Sequence, residues 1–195
     1  MLKNVLMSLL LLAGSCSSHA GLISADLFTA ADLPEYSEDG ALTYQVLGSV
    51  FGAGVELNAD DFLANPSGWL GGEVWLDYDP LTNILTLLSQ DIMDFQTFDV
   101  WLSNIVFAET GQVISGFSVL SNNLINNAVQ PVLAFTANSL HISYRYDPVF
   151  NFTGGQASFL VQLANQPQAI PAPATLAIFM LALAWLGIFG RRAKL

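Results

Sequence analysis

Ser139-Leu140-His141-Ile142-Ser143-Tyr144-Arg145-Tyr146-Asp147 alternates polar and apolar side chains without a break. Successive residues of a strand point to opposite faces. Leu140, Ile142, Tyr144 and Tyr146 therefore share one face, and Ser139, His141, Ser143, Arg145 and Asp147 the other. One dry face and one wet face is the pattern of an antiparallel sheet. Working outward, Ala157, Phe159, Val161 and Leu163 alternate with Gln156, Ser158 and Gln162. Val74, Leu76 and Tyr78 alternate with Glu73, Asp77 and Asp79, with Trp75 as an apolar exception on the polar side. Phe98, Val100, Leu102 and Val106 alternate with Thr97, Asp99 and Ser103, while Trp101 and Ile105 indicate that both faces of this strand are partly covered.

Turn chemistry separates these runs. Asp79-Pro80-Leu81-Thr82-Asn83 falls between two strand-like segments, where a proline presets the turn and cannot join a central ladder. Asp147-Pro148 reads as a similar turn, with Gly154-Gly155 opening the next strand, and Glu109-Thr110-Gly111-Gln112 and Ser121-Asn122-Asn123 as further reversals. About eight to ten short strands are expected between Leu42 and Leu163. Residues 22–39 are less regular and acidic, and read as an edge strand followed by a loop. A helical turn or two is expected near Asp60-Asp61-Phe62-Leu63-Ala64, capped by Asn58 or Asp60 and stopped by Pro66. The expected fold is all-β: a single antiparallel β-sandwich, jelly-roll or Ig-like, over residues 21–164.

The 195 residues leave room for one domain, two at most. One cysteine rules out a disulfide framework and a four-cysteine zinc site. Sixteen acidic residues against five basic ones provide no basic footprint for nucleic acid. The two ends read differently from the middle. Lys3 followed by an apolar stretch, with Ser18 and Ala20 flanking a cleavage point after Ala20, has the form of a secretory signal helix over residues 1–20. Cys16 follows Leu12-Ala13-Gly14-Ser15, a poor match to a lipoprotein acylation box, and ordinary cleavage would remove it. Residues 165–170 form a linker to the tail at 171–195. There, residues 174–190 carry no charge and span about 25 Å as a helix, enough for one transmembrane pass through a slightly thinned bilayer. Arg191-Arg192-Ala193-Lys194 behind it places the C-terminus inside and the N-terminus outside.

The order of proline motif, single apolar helix and terminal arginines resembles the PEP-CTERM sorting signal of Gram-negative bacteria. The residues that carry the likeness are Pro171, Ala172, Pro173, Ala174, Thr175 and Leu176, with Arg191 and Arg192. Ala172 stands where the family usually has glutamate, which makes this a Pro-Ala-Pro variant. The resemblance covers residues 170–195 alone. It implies recognition by an exosortase, a membrane cysteine protease that cuts near the proline motif, after export through the Sec machinery and signal peptidase. It further implies an inner-membrane precursor whose product goes to the envelope, cell surface or extracellular matrix, in bacteria where such proteins accompany exopolysaccharide and biofilm.

With both ends removed, residues 21–170 hold all sixteen acidic residues against Arg145 alone, a net charge of -15. Such a surface resists non-specific association and suits divalent cations, so weak calcium binding is an expectation and no other cofactor is. Glu73, Trp75, Asp77 and Asp79 share a strand face and are the candidate calcium or glycan contacts, set against a plain solvated face beside a turn. Asp60-Asp61 and Asp91-Asp94 are further acidic clusters, and none fits an EF-hand loop. His141 is the one histidine past the signal. Ser139 and Ser143 lie too far along its own strand to form a nucleophile–base pair, which leaves only a partner from another strand. Asn151-Phe152-Thr153 matches the glycosylation triplet, read as coincidence. The expected role is non-enzymatic, a matrix or surface structural component. A glycan-binding module for exopolysaccharide is the alternative and a carbohydrate-active enzyme the remote one.

Overall fold

A computed structural model describes residues 21–33, 41–64, 74–90 and 92–166. Among the described residues there are ten strands: β1 (Leu22–Asp32), β2 (Leu42–Val50), β3 (Phe62–Ala64), β4 (Val74–Asp79), β5 (Ile84–Ser89), β6 (Asp94–Phe107), β7 (Gln112–Asn122), β8 (Val132–Thr136), β9 (Ser139–Asn151) and β10 (Gln156–Asn165). They form a six-stranded sheet in the order β3-β2-β1-β6-β9-β8 and a four-stranded sheet in the order β4-β5-β10-β7. All the strand pairings are antiparallel. The all-β expectation and its two-sheet arrangement therefore hold.

The alternation read from the sequence sets which side chains enter the core. Leu140, Ile142 and Tyr144 of β9, Phe98, Val100 and Leu102 of β6, Val74, Leu76 and Tyr78 of β4, and Ala157, Phe159 and Val161 of β10 belong to one buried cluster drawn from both sheets. Burying one large apolar side chain contributes about 1.5–3 kcal/mol, so this shared core holds the sheets together. Tyr144 adds a polar tie, its hydroxyl donating to Asn122 Oδ1 on β7 of the other sheet at 3.0 Å. Burial disfavours the phenolate and pushes the pKa of Tyr78 and Tyr144 well above the ordinary tyrosine value.

Both sides of the sandwich are stitched. On one side Leu57 bridges Leu76 of β4. On the other, Ile114 N–H on β7 donates to Ala137 O in the β8–β9 turn at 3.0 Å.

Three sequence expectations are corrected. The first strand is not an edge: β1 lies between β2 and β6, because Ala25, Leu27, Thr29 and Ala31 bury one face and both its ladders are filled. The expected helix is a single 3-10 turn at Ala59–Asp61 that passes straight into β3. Asn58 does cap it, with a reciprocal bond from its backbone N–H to the Asp61 carboxylate at 2.9 Å. Asp147-Pro148 is not a turn between strands either. Strand β9 runs on to Asn151, and the proline sits in a bulge where the register steps from Thr97↔Arg145 to Phe95↔Phe150. A residue without an N–H is tolerated where the ladder is already interrupted.

Contacts divide the chain into two compact units, Met1–Asn165 and Gln166–Leu195, and both sheets lie in the first. Among the described residues no helix is long and apolar enough to cross a membrane, and the expected signal and tail helices fall outside them.

Candidate functional site

The outer face of the six-stranded sheet gathers the chemistry. Because Phe98, Val100 and Leu102 face the core, Asp99 and Trp101 of β6 face outward. The pairings Asp99↔Ser143 and Trp101↔His141 set them beside the polar row of β9. His141 Nε2 lies 3.0 Å from Asp99 Oδ1, and Arg145 Nη2 donates to Asp99 Oδ2 at 2.8 Å. The Asp99 side chain is only 8 % exposed, against 34 % for His141 and 59 % for Arg145. A buried carboxylate thus holds the one cation and the one histidine of residues 21–170. Its two oxygens are each occupied, which offsets the cost of removing a charge from water.

An aromatic ladder runs across the same face. Phe28 on β1 is opposite Trp101 with ring centroids 5.3 Å apart. Trp101 stacks on His141 at 4.9 Å, their planes 6° apart. The faces of the Trp101 ring are therefore turned toward its neighbours along the sheet, a cross-strand arrangement that rigidifies β1, β6 and β9 against one another. Ser139 and Ser143 were the nearest hydroxyls in sequence. The Ser139 hydroxyl bonds Thr136 Oγ1 at 2.7 Å, and Ser143 is buried beside Asp99.

Beside Arg145 the β9 bulge opens a shallow depression of about 430 Å³ lined by Gln96, Thr97, Arg145, Tyr146 and Asp147. Tyr146 is 40 % exposed there, contrary to the buried face expected for it, because the bulge breaks the alternation after Arg145. The site thus combines fixed charges with an open recess of mixed polar and apolar lining.

The face chosen from sequence develops differently. Trp75, Asp77 and Asp79 lie on the outer face of β4 and are half-buried, while Val74, Leu76 and Tyr78 turn inward. Glu73 lies outside the described residues. Asp79 is committed to its own turn: Leu81 N–H donates to Oδ1 at 2.8 Å and the Thr82 hydroxyl to Oδ2 at 2.7 Å. These bonds hold its carboxyl below the usual range, whereas burial and then the charge of Asp79 push Asp77 up. Among the described residues no three His, Cys, Asp or Glu side chains converge as metal ligands. Asp60 and Asp61 serve the 3-10 turn, Asp91 lies outside the described residues, and Asp94 accepts from the Asn151 side-chain amide. In the glycosylation triplet, Phe152 is buried in the core.

Two further acids carry structure that sequence reading missed. Glu56 is buried and accepts from Gly52 N–H at 3.1 Å and from Tyr78 N–H, on the open side of β4, at 2.8 Å. Burial raises its carboxyl above the usual range, opposed by these bonds. Asp26 spans two bulges, accepting from Gly48 N–H of β2 at 2.7 Å and from the Asn104 amide of β6 at 2.6 Å. Gly48 and Asn104 both adopt positive φ, 62° and 52°. The Asn104 and Gly48 bonds lower the Asp26 carboxyl.

No family model, curated protein or solved structure matches this chain.

Proposed function

We propose that the chain is an exported, non-enzymatic β-sandwich protein, sorted by an exosortase-type system to the envelope, cell surface or extracellular matrix, where it serves as a structural component. The observation that carries this reading is the division of charge along the sequence. A body of net charge -15 stands between an apolar leader with Lys3 and a tail with Pro171-Ala172-Pro173 before a charge-free run and Arg191-Arg192. The break between compact units after Asn165 supports treating the tail as an address attached to a folded domain. The chain's crossings from sheet to sheet at β3–β4, β5–β6, β6–β7, β7–β8 and β9–β10 support a Greek-key sandwich of the broad jelly-roll or Ig-like kind.

Replacing Arg191 and Arg192 together by alanine in the producing cell, followed by fractionation, tests the sorting step. The variant is expected to accumulate in the inner membrane while the native chain leaves it. Equal distribution of the two chains would remove the exosortase from the account.

A second reading, binding of an exopolysaccharide glycan, is favoured by one feature. The depression beside Arg145 has a volume of the order of small-ligand sites and pairs an exposed aromatic ring, Tyr146, with Gln96, Thr97, Arg145 and Asp147 as hydrogen-bonding groups. A glycan array probed with residues 21–165 is expected to give signals that Tyr146→Ala and Arg145→Ala abolish. A blank array leaves the structural role standing alone.

A further inference from the structure

The four strands that end the two sheets are not alike. The open side of β4 is covered: Glu56 N–H donates to Leu76 O at 2.9 Å, Leu76 N–H to Leu57 O at 3.0 Å, and the Glu56 carboxylate takes Tyr78 N–H. Strand β3 is three residues long and comes directly after Asp60 and Asp61. Strand β7 is irregular, its register against β10 shifting twice. Short length, adjacent charge, covering and bulges are the devices by which sheets avoid edge-to-edge pairing.

Strand β8, five residues long and directly preceded by Pro131, has no bulge and, among the described residues, no segment bonded along its open side. Val132-Leu133-Ala134-Phe135-Thr136 pairs with β9 in unbroken register from Val132↔Ser143 to Thr136↔Ser139. Four of its five residues are exposed, Val132 at 70 % and Phe135 at 46 %. The strand holds no charge and no proline. It also lies within a neutral tract, since no Asp, Glu, Lys or Arg occurs between Glu109 and Arg145. That tract supplies both β7 and β8, the neighbouring ends of the two sheets.

We propose that β8 is a self-association edge, pairing antiparallel with β8 of a second copy to join two six-stranded sheets into one. A second copy presents the same neutral edge in the same unbroken register. Two bodies of net charge -15 repel over most approaches, and the neutral tract is where they meet with least repulsion. Centred on Ala134, the pairing sets Leu133 opposite Phe135 of the second copy, so that the exposed ring covers a side chain already packed on the core. The pairing fills the free N–H and C=O groups of the edge and buries Phe135. This inference does not depend on the proposed sorting or glycan reading.

Sedimentation equilibrium on residues 21–165, which contain every core residue among the described residues, tests it over about 10 µM to about 1 mM. A monomer–dimer equilibrium that tightens as added salt screens the charges is expected. Phe135→Glu and Val132→Glu, at exposed positions, should each weaken the dimer at least about tenfold without changing the circular dichroism. Leu81→Glu, 71 % exposed in the β4–β5 turn, should leave it unchanged. A monomer at all concentrations overturns the proposal, as does a dimer indifferent to both β8 variants. A monomer that captures a neutral strand peptide along β8 also overturns it and assigns the edge to a different chain.

Discussion

At Asp99 the electrostatics of the outer face reduce to one question: what happens when its partners are removed. The carboxylate is buried, whereas Arg145 reaches well into solvent, so the Arg145 ion pair alone is worth only about 1 kcal/mol, near the value for exposed pairs. Arg145→Ala should therefore cost about that much, the His141 bond remaining. Removing both partners leaves a buried charge uncompensated, and His141→Ala with Arg145→Ala should cost about 3 kcal/mol. Asp99→Asn should fall below the double variant, because the released cation is already near water. Urea unfolding of the three variants checks the order; Asp99→Asn as the costliest change would contradict it. Glu56 makes a second residue-scale prediction. Its carboxyl is raised, so the folded state holds that proton more tightly than the unfolded chain. Its contribution is present below the ordinary glutamate value and is lost as pH rises through the folded one. The stability of the native chain relative to Glu56→Gln should thus increase as pH falls from 7 toward 4.5, measured by unfolding at a series of pH values. An advantage growing with pH would contradict the assignment. Asp26 and Asp79, lowered by hydrogen bonds, act with the opposite sign, and their stabilisation is lost on acidification.

Between strands, the close approaches decide what the fold tolerates. A Cβ at Gly155 would lie 2.4 Å from the backbone oxygen of Asn123, an atom with no flexible side chain to move. Gly155 O also accepts from Ser89 N–H at 2.9 Å, locking the start of β10 against the end of β5. Gly155→Ala should therefore destabilise by about 1–3 kcal/mol, visible as a lower thermal midpoint, and a neutral effect would show that the β10 entry can shift freely. At this scale the sequence was legible where the period of two was clean. Residues 139–145, 157–161 and 74–79 place their apolar members in the core as expected. It was illegible where bulges intervene. Asn104 at positive φ reverses the alternation of β6, so that Ile105 is buried and Val106 exposed, and the β9 bulge exposes Tyr146. Strand order was illegible too. The contact between His141 and Asp99 spans 42 residues and arises only because β6 and β9 are neighbours. The hint available was a lone aspartate inside Phe98-Asp99-Val100-Trp101-Leu102, a run whose apolar members on both faces imply covering on both sides.

Across the whole molecule, charge is the organising quantity. A chain with net charge -11 resolves into an acidic body and two ends that carry four of its five cations. Self-repulsion within that body weakens the compact state, so the thermal midpoint of residues 21–165 should rise with sodium chloride. A midpoint that falls steadily with salt would mean that the few attractive pairs, chiefly those at Asp99, outweigh the repulsion. The same charge division underlies the proposal that the ends are addresses and the sandwich the cargo. Intact-mass analysis of the protein recovered from the producing cell's surface or matrix tests that claim most directly. The account predicts a chain beginning at Gly21 and ending near the Pro171-Ala172-Pro173 motif; a chain that reaches the surface still ending at Leu195 would contradict it.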